Sequence, residues 1–119
     1  MIFHIVGRGE WDRAASEGRY QPASLKSEGF IHCSTLAQLV ETGNRFYRGR
    51  SDLLVLCIDE RRIGFPLRHE ASALGAGEGN GERFPHIYGP LDLAAVNQVI
   101  DFPCERDGSF AMPAALHEA

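Results

Sequence analysis

Gly29-Phe30-Ile31-His32-Cys33-Ser34-Thr35 is the stretch from which the fold is read. A glycine releases the chain from a turn, and Phe30 to His32 follow as a short strand. Ser34 and Thr35 then precede an apolar-periodic run, where hydroxyl side chains cap a helix. This places an imidazole on a strand end, beside hydroxyls and the free N–H groups of a helix start. Such a place suits an anionic or nucleotide ligand. His4 and His86 lie in similar strand-like runs, so the first expectation is that three imidazoles meet in one pocket.

Outward from there, Ile2 to Val6 alternates as a strand, with Phe3 and Ile5 on one face and Ile2, His4 and Val6 on the other. Trp11, Ala14 and Ala15 recur at helical spacing, which predicts a helix over Glu10 to Glu17 stopped by Gly18. Arg19 to Leu25 reads as a connector, because Pro22 weakens a central strand. After Thr35, the apolar positions Leu36, Leu39, Val40, Phe46 and Tyr47 predict a helix ending near Tyr47, with Gly43-Asn44 as a weak spot.

Leu53 to Ile58 is apolar without alternation, the pattern of a central strand covered on both faces. Asp59 to Arg62 is a charged turn, and Leu67 to Ala71 a further strand. Gly75 to Gly81 holds four glycines in seven positions and is expected to be a loop or a lid. It lacks the Gly-Lys-Ser/Thr ending of a phosphate loop. Phe84-Pro85-His86-Ile87-Tyr88-Gly89-Pro90 fixes a His and a Tyr between prolines. Asp92 caps a turn at Leu93 to Ala95, and Val96 to Phe102 is a strand. Asp107-Gly108 is a turn signal, with Ser109 to Met112 expected to return as a hairpin partner.

Helices early and strands late give an α+β class: one compact domain over residues 1–113, with 114–119 as a loose tail. The expected elements are short strands and two short helices. The 119 residues suit one domain. A net charge of −4 argues against general nucleic-acid binding, though not against a nucleotide or one end of an RNA. Three widely spaced cysteines make neither a disulfide framework nor a zinc finger, and point to a reducing cytoplasm. No signal peptide or membrane span is expected.

No His-x-His or His-x-x-x-His pair favours a metal site. Cys33 and His32 are neighbours on a strand and point to opposite faces, so they make a poor nucleophile–base pair. Ser34 lacks a Gly-x-Ser-x-Gly elbow. Arg68 and Glu70 stand either on a solvated strand face or at a pocket edge. Tyr20 and Tyr47 serve either the core or a base-stacking surface.

His4 in FHIV, Glu28 to Thr35 in EGFIHCST, and Arg83 to Val96 in RFPHIYGPLDLAAV resemble the bacterial family catalogued as domain of unknown function 952. Trp11, Gly18-Arg19-Tyr20, LLVLCID, Glu70 and DGSF extend the resemblance over nearly the whole chain. That family is similar in fold to the ADP-ribosyltransferase superfamily, which implies a compact core with a split, mostly antiparallel β-sheet and two short helices, gripping NAD in a cleft. By that resemblance His4, His32 and His86 are the catalytic candidates, and Ser34, Thr35, Tyr88 and Glu70 the cofactor-binding ones. NAD is the implied substrate, and ADP-ribosyl or phosphoryl transfer the implied reaction. The late strand shows no clear glutamate, which weighs against protein ADP-ribosylation. A nucleotide-binding module without activity is the alternative, and a histidine-based metal enzyme a third.

Overall fold

The computed structural model describes residues 1–71 and 82–116. In chain order it has β1 (Ile2–Gly7), α1 (Arg8–Glu17), β2 (Arg19–Tyr20), α2 (Ala23–Ser27), β3 (Ile31–His32) and α3 (Leu36–Phe46). Then come β4 (Leu53–Ile58), β5 (Leu67–Ala71), β6 (Arg83–Ile87), β7 (Leu91–Asp92) and β8 (Val96–Asp101). Short 3-10 turns lie at Glu60–Arg62, Leu93–Ala95 and Ala114–Leu116.

Two antiparallel three-stranded sheets carry the architecture, β1-β4-β8 and β3-β6-β5. A single antiparallel bridge between Phe3 and Ser34 joins them, through two backbone hydrogen bonds of 2.8 and 2.7 Å. β2 and β7 form a separate two-stranded ribbon. The α+β class holds, with antiparallel sheets and few helices.

β4 is buried along its whole length because both of its faces are covered. Leu54, Leu56 and Ile58 join one apolar cluster with Ile2, Val6 and Ile31. Leu53, Val55 and Cys57 join a second with Phe3, Ile5 and Leu39. The strict alternation on β1 and β4 follows from the two-residue repeat of a strand.

Several details differ from expectation. α1 begins at Arg8, two residues early, and ends as predicted at Gly18, in the left-handed conformation (φ 81°). The connector holds two elements: β2 pairs with β7, and α2 starts after Pro22, whose fixed φ suits a helix entry. α3 runs unbroken through Gly43-Asn44. Ser109 to Met112 forms no strand; Asn44 instead clamps the backbone of Phe110, accepting from its N–H at 2.7 Å. Ala114–Leu116 is a 3-10 turn with Leu116 buried in the second cluster, so these residues are not a loose tail. The glycine segment Gly75 to Gly81 lies outside the described residues. No helix among the described residues is long and apolar enough to cross a membrane.

Candidate functional site

Strand register decides where each histidine faces. Phe3 pairs with Ser34 across the bridge, and directly paired residues point to the same side of a sheet. His32, two residues before Ser34, shares that side; His4, one residue after Phe3, takes the other. His32 pairs with His86 on β6, so these two share a face. Their rings meet edge-to-face with centroids 5.6 Å apart. The structure therefore brings two of the three imidazoles together and sets His4 behind them.

His4 is enclosed. Its Nδ1–H donates to the backbone carbonyl of His32, which leaves Nε2 to accept from the Tyr20 hydroxyl at 2.7 Å. Burial holds its pKa down to about 4, so the ring is neutral. Burial also raises the Tyr20 pKa, which keeps the hydroxyl a donor. Both ring nitrogens are engaged, and His4 supports the backbone at His32.

The other two histidines are each backed by a carboxylate. His86 Nδ1 lies 2.9 Å from Glu70 on β5, and His32 Nε2 lies 2.8 Å from Glu28 at the end of α2. A carboxylate only accepts, so each of those nitrogens carries the proton. Gly29, at φ 91°, makes the left-handed turn that folds Glu28 back beside His32. Burial lowers the His86 pKa, against the raising effect of the Glu70 hydrogen bond. The ring is therefore neutral at pH 7, with a bare lone pair on Nε2.

Neither His86 Nε2 nor His32 Nδ1 has a hydrogen-bond partner among the described residues. No fully enclosed side-chain nitrogen or oxygen among them lacks a partner, so both atoms reach solvent-accessible space. Both residues line a small cleft of about 40 Å³, open to solvent, where the two sheets meet under α3. His32, His86, Ser34 and Thr42 supply its polar groups. Phe3, Phe84, Phe46 and Tyr47 supply much of its apolar wall. A mainly apolar cleft with a few convergent polar groups is the usual form of a small-molecule site.

The carboxylate behind His86 is itself held. The Tyr88 hydroxyl donates to the same Glu70 oxygen at 2.5 Å, and the two hydrogen bonds, Tyr88 first, lower the Glu70 pKa. Phe30 stacks on His86 with centroids 4.0 Å apart, and the Arg68 guanidinium lies 5.1 Å from the Tyr88 ring centroid. Glu70, His86 and Tyr88 therefore form one connected group.

Ser34 lines the cleft and donates to Thr42 at 3.2 Å. Thr35 is not among the lining residues, and its N–H donates to Gln38 at 3.0 Å, the capping arrangement of α3. Burial pushes the Cys33 thiol pKa up, which leaves it inert as a nucleophile. No group of three or more His, Cys, Asp or Glu side chains able to hold a metal exists among the described residues. Sequence reasoning missed Glu28, Phe30, Thr42 and Phe46. Glu28 stands inside EGFIHCST, but only the Gly29 turn brings it to His32.

A family described as "Protein of unknown function (DUF952)" matches residues 5–99. No curated protein matches the chain. Two crystal structures of protein CC0527 from Caulobacter crescentus, one of them of a double mutant, are similar at TM-score 0.80 and 35% identity over 92% of each chain. A solution NMR structure of CC0527 is similar at TM-score 0.80 and 34% identity, over 99% of this chain and 97% of that one.

Proposed function

The chain belongs to the DUF952 family, and from its own side chains we propose that it binds a ribose-containing nucleotide, NAD or ADP-ribose, at His32 and His86 and transfers the ribosyl group to a hydroxyl acceptor. The observation that carries this is a pair of imidazoles lining one cleft, each with one N–H bound to a carboxylate and the other nitrogen without a partner among the described residues. Two neighbouring acceptors match the two hydroxyl donors of a ribose diol.

NAD, when bound, supplies a glycosidic bond with nicotinamide as the leaving group. The acceptor's oxygen bonds to the ribosyl carbon as the bonding pair departs with nicotinamide and the acceptor's proton passes to water, while His32 and His86 hold the ribose diol in position. Glu70 fixes the His86 ring in that orientation, and Tyr88 holds Glu70 in place. Ser34 and Thr42 add hydroxyls to the same cleft. A cleft at the junction of two antiparallel half-cores is compatible with an ADP-ribosyltransferase-like fold. Three free cysteines suit a reducing cytoplasm.

Titration calorimetry with NAD and ADP-ribose, with an assay for nicotinamide release, tests the reading. The wild-type protein is expected to bind both and to release nicotinamide. His86→Ala and His32→Ala should each weaken binding about tenfold or more, since each removes a direct hydrogen bond to the ligand. Binding that is absent, or that survives both changes intact, overturns the proposal. Binding without nicotinamide release marks a nucleotide-binding module instead of a transferase.

A further inference from the structure

Phe46 is an aromatic side chain outside both cores. It is 37% exposed, and it belongs to neither apolar cluster, whereas its neighbour Tyr47 packs partly against the second. The other large exposed apolar residues among the described ones have different settings. Met1 is the first residue, Val99 stands on β8, and the ring of Phe65 lies against Gly89. Phe46 alone of these lines the cleft that holds His32 and His86.

The chemistry of the cleft is thus divided. His32 and His86 offer hydrogen-bond acceptors. Phe46 offers the accessible part of an aromatic ring, while Phe3 and Phe84 are 3% and 7% exposed and are committed to packing. An exposed ring in a cleft loses its contact with water only when something apolar covers it. A flat heterocycle does so with stacking geometry as well.

We propose that Phe46 is the specificity residue of this cleft, stacking on the ring of a nucleoside whose ribose hydroxyls meet His32 and His86. This rests on the nucleotide reading and narrows it: the ligand is recognised by its ring and its sugar together, so a bare sugar phosphate is a poor ligand. The place of Phe46 at the C-terminal end of α3 makes the ring-binding wall a helix end, while the hydroxyl-binding groups come from the sheet.

The test compares adenosine, nicotinamide, ribose 5-phosphate and NAD by titration calorimetry on wild type, Phe46→Ala, Phe46→Tyr and His86→Ala. Phe46→Ala should weaken adenosine and NAD about tenfold, within the range of base–aromatic stacking. It should leave ribose 5-phosphate unchanged. Phe46→Tyr keeps the ring and should restore adenosine binding, which a merely structural role for bulk at this position would not require of the nucleoside alone. Unchanged adenosine binding in Phe46→Ala, or equal losses for adenosine and ribose 5-phosphate, overturns the assignment. If nicotinamide binds in a Phe46-dependent way while no ribose-bearing probe responds to His86→Ala, the ring site stands and the nucleotide reading falls. If no probe binds the wild-type protein, both fall.

Discussion

At the scale of single residues, His4 and His86 show how environment divides one side-chain type into two roles. Both are buried, but the His4 ring has both nitrogens engaged, while the His86 ring keeps one bare. His4→Ala should destabilise the protein by about 2–4 kcal/mol, because it leaves a cavity and removes the partners of Tyr20 and the His32 carbonyl. The pH dependence has a defined sign. The unfolded histidine binds a proton below about 6.5, but the folded one does so only near 4. The stability that neutral His4 contributes is complete above the unfolded value. It is lost as pH falls toward 4, by up to about 3 kcal/mol. Urea denaturation at pH 7 and pH 4.5 should show the gap between wild type and His4→Ala narrowing in acid; parallel curves would refute it. For His86, the Glu70 hydrogen bond raises the pKa against burial. Glu70→Gln should therefore move the His86 titration, followed by NMR, to lower pH, and an upward move would contradict the pairing.

At the scale of elements, α3 carries a glycine where helix propensity alone argues against one. A Cβ on Gly43 would lie 2.9 Å from Phe102 Cε2 and 3.3 Å from Phe110 Cδ2, and those two rings are stacked. Phe102 is fully buried and has no room to yield. Gly43→Ala gains about 1 kcal/mol of helix propensity but overpacks this contact at a cost of about 1–3 kcal/mol. The expected net effect is a lower Tm, and a raised Tm would show that the rings repack freely. The sequence pattern marks Gly43-Asn44 as a weak spot because the reason for the glycine, Phe102 and Phe110, lies far along the chain in the segment after β8. Asn44 similarly looks like a poor helix former until its bond to the Phe110 N–H is seen.

At the scale of the molecule, β4 lies between β1 and β8 and has a core on each face. Hydrogen exchange should be slowest at Val55 and Leu56 and fast in the short, unburied α2. Protection as high in α2 as in β4 would mean that the two-core description is wrong. The second core reaches the C-terminal turn through Leu116, which is 4% exposed. Leu116→Ala should cost about 2–3 kcal/mol in denaturant unfolding, whereas a free tail would show no change. The two sheets are linked among the described residues by one bridge, Phe3 to Ser34, and the cleft opens beside it.

The sequence by itself determined the α+β class, the alternation of β1, the two-faced burial of β4, the start of α3 and the ends of β5. These follow from residue type and local periodicity, which act over a few positions. Glu70, His86 and Tyr88 are also legible as candidates in the sequence. Only the tertiary structure decided which histidines meet, because that depends on the parity of a single cross-sheet pair, Phe3 with Ser34. One residue of slip would bring His4 to the face of the cleft in place of Phe3 and Ile5. The carboxylates behind His32 and His86 were hidden for the same reason: a turn at Gly29 and the β5–β6 register bring them close, and hydrophobic periodicity carries no information about either.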